Sequence, residues 1–423
     1  MNVAAFDSRL PQHGRELAIF GGTPALSVMP PTNRPVGDAA ADAVARVVRS
    51  GCLTDFFDGP EVARLEEEFG ARFGAPHAVA VNSGTSAILV ALLAHGVEPG
   101  DEVVVSPYSC IAPVTAVLQA GGIPVFADID PETHALDPSS VRLVLNDYTR
   151  AVLPVHMYGY PADVPALGRI CAHRGVTLIG DCCMAVGATV DDLFVGVAEG
   201  TGCYSFHDTK VVNAGQGGIV VTHNAAVAEA MREVRAYGMN RQMRVVRRGA
   251  NCVMPEIGAA LARVGLAELD EVLARQQAFG DYVRSQLTDF SLRFTEPPGY
   301  GRRVWDTIPI ELPVPLVGYR DRVFAALRAE NIPVTVPVVE PLYRKPFLAM
   351  YAPSGGCPNA EAACDRFIGL RAARTFPYDE AQAIVEGIRK VLSAIRRLDR
   401  LRPAGHEEVD AGRSLSRSVS FPE

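Results

Sequence analysis

The chain has 423 residues, 48% of them hydrophobic and 21% charged, with a formal net charge of -8 and a pI near 5.7. That length suits two domains around a sizeable core, and an acidic chain with no long basic run argues against nucleic acid or an anionic membrane as its main partner. There is no apolar run of about 18 residues to cross a bilayer, and residues 1–16 lack the charged-then-apolar profile of a signal peptide.

The nine cysteines are scattered, with no CxxC pair and no Cys/His spacing of a structural zinc site. They read as small buried hydrophobes of a reducing, cytoplasmic compartment, and no metal is expected. Residues 1–30 form an N-terminal extension. From about residue 60 to 224, short β-rich runs alternate with helical patterns. The strands are read at 77–81, 102–106, 124–129, 151–156, 176–180, 202–206 and 218–222. Helices are read at 86–94, 114–120, 165–173 and 225–237. This order predicts an α/β fold with a mostly parallel central sheet flanked by helices. A long helical stretch over 256–288 leads out of a large domain (31–270) into a smaller C-terminal α/β domain (271–400). Residues 304–398 read as strand, helix, strand, loop and two helices. The polar tail 401–423 reads as disordered.

Three features carry chemistry. Asn82-Ser83-Gly84-Thr85-Ser86 follows a strand and opens a helix. Such a turn suits either an anion held by backbone N–H groups and the helix dipole or a plain N-cap. Asp181 ends the apolar run 176–180, where α/β proteins bind ligands. Its carboxylate suits either a protonated ring nitrogen or a structural cap. Lys210 lies just beyond the strand 202–206, in Ser205-Phe206-His207-Asp208-Thr209-Lys210. A lysine facing a cleft there can form a Schiff base with an aldehyde. The Gly-rich run 215–218 leads into a strand, so it is no dinucleotide fingerprint. His156 and His207 read as buried structural histidines. Cys182 and Cys183 alternate faces, which does not suit shared metal ligation. Arg241, Arg244, Arg247 and Arg248 read as a solvated face or the rim of a partner's site.

Together these pieces resemble the DegT/DnrJ/StrS family of aminotransferases. The resemblance is carried, in order, by Gly59-Pro60-Glu61-Val62, Ser83-Gly84-Thr85, Gly100-Asp101-Glu102-Val103, Ala120-Gly121-Gly122, Pro124-Val125-Phe126, and Pro154-Val155-His156 with Tyr158-Gly159. Asp181, Ser205-Phe206-His207 with Lys210, Gly217-Gly218, Gly249 with Asn251, and residues 263–269 complete it, within about 30–398. The resemblance implies the fold-type I aminotransferase fold, pyridoxal 5'-phosphate as cofactor and a homodimer with shared sites. It implies amino transfer from glutamate or glutamine to a keto-sugar or keto-cyclitol. Lys210 would bond covalently to the cofactor and move the proton. Asp181 would pair with the ring nitrogen. Gly84, Thr85 and Ser205 would hold the phosphate, with Asn251 reaching the neighbouring subunit's phosphate. Ser86 and His207 join this cofactor-binding set. Cys110 and Met184 stand where the family has, respectively, an aromatic residue stacked on the cofactor and a Gln or His at the ring's other face. Tyr108 is the nearest aromatic substitute for the first. Gln216 and Val253 replace a common Glu and Arg, and Pro337 and Val338 a common His-Tyr pair. These departures leave elimination, or another carbanion reaction on the same cofactor, as the alternative. The family's dehydratases carry His where this chain has Lys210, which favours transamination. A regulator without turnover is the remaining reading.

Overall fold

A computed structural model describes residues 16–31, 36–290, 292–294, 299, 301–313, 316–336, 338–372 and 376–395. The tail 401–423 and Pro337 lie outside these residues.

Helices α1 (Asp38–Ser50) and α2 (Pro60–Phe73) come first. Strands β1 (His77–Val81), β2 (Glu102–Val105), β3 (Ile123–Phe126) and β4 (Thr149–Leu153) then alternate with α3 (Gly84–Ala94), α4 (Ala112–Gln119), α5 (Pro138–Val144) and α6 (Val164–Arg174). Asp137 and Asp163 cap α5 and α6 with their carboxylates, and a proline opens each helix. β5 (Thr177–Leu178) and β6 (Gly180–Asp181) follow, then the hairpin β7 (Thr189–Val190) and β8 (Leu193–Phe194). β9 (Thr201–Ser205), β10 (Gly218–Thr222) and α7 (Ala225–Arg235) come next.

Two four-stranded ladders, β3-β2-β4-β5 and β1-β10-β9-β6, meet at Asp181. β5 and β6 are one path interrupted at Ile179. The Asp181 N–H donates to Pro154 O at 2.8 Å, and the His156 N–H donates to Asp181 O at 3.0 Å. Val155 bridges Asp181 in parallel on one side, and Asp181 pairs with Cys203 in parallel on the other. Only the two pairings made by β10 are antiparallel in these ladders. The predicted mostly parallel sheet is therefore observed.

The strands are apolar on both faces because both faces are covered. Their two-residue period divides them between two cores. Ala78, Ala80, Val104 and Val152 enter one; Val79, Val81, Val103, Val105 and Leu153 enter the other. Helix α3 is apolar around its circumference, the pattern of a buried helix, and Ala87, Ile88, Val90, Ala91 and Leu92 are fully buried.

The predicted single helical stretch over 256–288 is broken at Glu268 into α8 (Glu256–Ala267) and α9 (Leu269–Gln286). Leu269 and Val272 of α9 belong to the first core, while Phe279 and Val283 belong to a third. That third core is built on β12 (Thr307–Glu311), β13 (Val334–Thr335) and β14 (Phe367–Arg371), in the order β12-β14-β13. It is covered by α10 (Arg320–Ala329) and α12 (Tyr378–Ser393), with α11 (Pro358–Cys364) beside the second core. β11 (Gly301–Arg302) instead pairs with β7. The central strand β14 escaped the sequence reading, because a short, largely apolar run is equally good as a helix fragment. Leu17 and Leu26 of the N-terminal segment pack into this third core. Glu330 holds that segment by accepting from the Ala18 N–H at 2.8 Å and the Ala25 N–H at 2.9 Å.

Candidate functional site

Three strand ends and one helix start converge. At the first, Ser83 caps α3, its Oγ accepting from Ser86 N at 3.0 Å, while Ser86 Oγ donates to Asn82 Oδ1 at 2.6 Å. The Ser86 hydroxyl is thus occupied inside the cap, and the amides of Gly84 and Thr85 open the helix ahead of it. A Cβ on Gly84 would lie 2.7 Å from Ser205 Cβ and 3.0 Å from Cys183 Sγ. Only glycine lets the helix start approach the ends of β6 and β9 so closely.

Asp181 ends β6 and is 2% exposed. Its Oδ1 accepts from Cys183 N at 3.0 Å. Burial pushes its carboxyl pKa up; the Cys183 hydrogen bonds and the nearby Lys210 pull it back. Ser205 ends β9, and its Oγ accepts from His207 N at 3.2 Å. The chain then turns, with Lys210 N donating to His207 O at 2.8 Å. Lys210 Nζ lies 3.4 Å from Asp306 Oδ1, the side chains being 14% and 5% exposed. Cys110 reaches solvent on one side while protein crowds the rest of it. Burial and the Asp181 carboxylate push its thiol pKa up, and Lys210 opposes them. Cys183 feels the same two charges.

Several sequence expectations change here. His207 is a half-exposed side chain whose Nδ1 sits 3.0 Å from Asp208 Oδ1 and 2.9 Å from Thr209 Oγ1, so it is no buried histidine. Tyr108 does not face the cleft. It is buried in the second core with its hydroxyl 2.6 Å from that of Tyr158, so it does not replace the aromatic residue missing at Cys110. Met184 is half-buried against the second core. Asn251 is exposed, and its carbonyl accepts from Asn82 Nδ2 at 3.2 Å, beside the α3 turn. Arg241 pairs with Asp58, Arg247 with Glu233, and Arg248 donates to Ala120 O and Gln119 O. Three of the four loop arginines are therefore held within the chain.

His156 is buried as expected, with a partner the sequence did not indicate: its Nε2 lies 2.6 Å from Glu199 Oε1, both side chains fully buried. The approach is poorly aligned for a hydrogen bond, so the contact is mainly electrostatic. His156 Nδ1 accepts from Ala162 N at 3.1 Å, which assigns the proton of a neutral ring to Nε2, facing Glu199. With Cys182 these residues form a group of possible ligands within 4.8 Å. A proton on Nε2 occupies the nitrogen a metal would need. Asp306 was also missed. It lies 96 residues beyond Lys210, and no motif surrounds it.

A profile of the DegT/DnrJ/EryC1/StrS aminotransferase family matches residues 36–389. The chain is 33% identical to the dTDP-3-amino-3,4,6-trideoxy-alpha-D-glucose transaminase of Streptomyces venezuelae, over 82% of this chain and 90% of that one. It is also 33% identical to the L-glutamine:2-deoxy-scyllo-inosose aminotransferase of Streptomyces kanamyceticus, over 80% and 83%. DesI, solved with its TDP-sugar product, superimposes with a TM-score of 0.84 at 27% identity, covering 91% of this chain and 98% of that one. The chain belongs to the DegT/DnrJ/EryC1/StrS aminotransferase family. It is a pyridoxal-phosphate-dependent aminotransferase, with the corresponding fold.

The residues present fit that cofactor. A helix start with a glycine cradle suits a phosphate, a buried carboxylate suits a protonated ring nitrogen, and a largely buried lysine that keeps some access to solvent suits an aldehyde.

Proposed function

We propose that the enzyme moves an amino group from glutamate or glutamine to a keto group on a sugar or cyclitol, in the biosynthesis of an amino sugar or an antibiotic. Bound pyridoxal phosphate supplies the aldehyde and the electron-withdrawing ring. Lys210 is the covalent attachment point, and its Nζ carries the proton between the donor's Cα and the adjoining cofactor carbon. Asp181 keeps the ring nitrogen protonated. The Gly84 and Thr85 amides and Ser205 hold the phosphate, with Ser86 shaping the turn and His207 the loop. Cys110 and Met184 flank the ring. The convergence of Lys210, Asp181, Ser205 and Gly84 on one cleft carries this reading.

The active enzyme in this reading is a cytoplasmic homodimer in which Asn251 reaches the partner's phosphate. The exposure of the Asn251 side chain and the free state of all nine cysteines support this. Among the described residues no helix is long and apolar enough to cross a membrane. The cofactor-binding part is assigned to 31–270 and the smaller part to 271–400.

Borohydride reduction of the holoenzyme and peptide mapping test the assignment. The adduct is expected on Lys210, and an adduct on another lysine defeats it. Loss of the visible cofactor absorption with L-glutamate or L-glutamine is the expected sign of the first half-reaction. Mixing Lys210→Ala with Asn251→Asp chains tests the shared site, because hybrid dimers should regain activity.

A further inference from the structure

Asp306 stands immediately before β12, in the part of the molecule that carries the third core, yet its carboxylate reaches Lys210 at the end of β9. The side chain is 5% exposed. One oxygen, Oδ2, accepts from Thr307 Oγ1 at 3.1 Å, and the other, Oδ1, faces Lys210 Nζ. The Thr307 bond orients the carboxylate and leaves Oδ1 facing Lys210 Nζ.

A carboxylate only accepts hydrogen bonds. It is satisfied here while Lys210 is a free amine. Once the lysine nitrogen is bonded to the cofactor, it no longer offers Oδ1 the same donors. Thr307 still serves Oδ2, but a nearly buried Oδ1 short of a donor is costly, so an incoming substrate that supplies one is favoured until its own nitrogen displaces the lysine and frees Lys210 again. An amino acid brings a carboxylate to the carbon next to its amine, and Asp306 would repel it. A hydroxylated ring brings a hydroxyl there, and a hydroxyl is a donor.

We propose that Asp306 is a specificity residue of this site: it accepts a hydrogen bond from a hydroxyl on a carbon adjacent to the reacting one, and so selects polyhydroxylated ketones and their amines. The inference rests on Lys210 as the cofactor-bearing lysine. It assigns the recognition of the sugar or cyclitol to the β12 end of the molecule and places the amino acid's carboxylate away from it.

Simple amines provide the test. Holoenzyme and its Asp306→Asn variant are each reacted with 2-aminopropane-1,3-diol and with isopropylamine. The two amines share a branched amine carbon and differ by the two flanking hydroxyls. L-Alanine is the amino-acid control. The second-order rate of loss of visible cofactor absorption is measured for each. The ratio of the diol rate to the isopropylamine rate is expected to fall about 10- to 100-fold in Asp306→Asn, the range for a hydrogen bond to a charged group. The L-alanine rate is expected to hold or rise. Comparing ratios cancels the different basicities of the two amines. An unchanged ratio overturns the proposal, as does an Asp306→Asn chain that folds but no longer retains cofactor. Should Asp306→Asn fail to fold, Asp306→Ala is judged by the same ratio, and failure of both to fold assigns Asp306 to structure alone and overturns the proposal. Borohydride mapping separates the two levels of inference. An adduct on Lys210 with an unchanged ratio defeats Asp306 only, whereas an adduct elsewhere defeats the reading beneath it.

Discussion

Two pairs of opposite chemistry surround Asp181, and they are built differently. Lys210 and Asp306 meet at 3.4 Å across elements of different cores, and the lysine keeps some access to solvent. His156 and Glu199 meet at 2.6 Å with no access at all. Glu199 Oε2 also accepts from Gly196 N at 2.5 Å, and a Cβ on Gly180 would come within 3.0 Å of the Glu199 carboxyl. The sealed pair has no route for a substrate to displace either partner. The open pair is long, reachable and replaceable. A cleft that does chemistry keeps its charges exchangeable, while the layer beneath keeps them matched.

The largest effect should come from the open pair. Lys210→Ala is expected to lower turnover by roughly 10⁴-fold, the upper range for removing a proton-transferring group. Its unfolding midpoint in urea should fall by less than that of Glu199→Ala, because Thr307 still donates to the Asp306 carboxylate and the lysine's place is reachable by water. A large loss of stability would place Lys210 with the sealed pair and erase the contrast.

The sealed pair should behave the other way. Glu199→Ala leaves the buried His156 Nε2–H without its acceptor and is expected to cost about 1–3 kcal/mol of stability, read from urea unfolding. Glu199→Gln keeps the size and should cost less. A Glu199→Ala chain as stable as the parent would mean that the pair is not matched as described.

Asp181 lies between the two. Asp181→Asn keeps its volume and its contact with Cys183 but removes the charge. Turnover should fall by about 10²- to 10³-fold, on the scale of losing one preorganised electrostatic group, with cofactor still bound. Near-normal turnover would make Asp181 structural.

The parts of this arrangement that were legible in the sequence share one property: they lie at the ends of buried parallel strands. Such strands appear as short apolar runs, so Asp181 and Lys210 are marked by position before any contact is known. Glu199 and Asp306 carry no such mark. Glu199 follows a small hairpin, β7–β8, that is too short to show a period. Asp306 sits at the start of a strand from a distant core, so only tertiary packing brings it to Lys210. Strand β14 was lost for a local reason, a five-residue run of ambiguous period, and Tyr108 for a tertiary one, since nothing in its neighbourhood along the chain shows that its hydroxyl is taken by Tyr158. His207 was misjudged because its turn leaves the strand and carries the ring toward solvent.

A third histidine sharpens the comparison by having no acidic contact of the kind His156 makes. His134 is 2% exposed and packs edge-on against Phe367, ring centroids 4.3 Å apart. Among the described residues neither ring nitrogen has a hydrogen-bond partner. Burial lowers its pKa from 6.5 to about 4; Asp130 pulls the other way, while Arg293 and Arg366 reinforce the drop. Between those values the unfolded chain binds a proton that the folded chain refuses. Stability therefore rises with pH across this window: the contribution is present above about pH 6.5 and is lost as pH falls toward 4. The loss should reach about 3 kcal/mol by pH 4, since a tenfold change in proton affinity is worth about 1.4 kcal/mol. Carboxylates add their own acid dependence, so the measurement is a difference. Urea midpoints of the parent and of His134→Phe, which keeps an aromatic ring against Phe367, are compared from pH 7 to 4. The parent is expected to lose more stability than the variant over that range, with most of the divergence below pH 6.5. Parallel curves would mean that the imidazole takes up its proton in the folded chain as readily as in water.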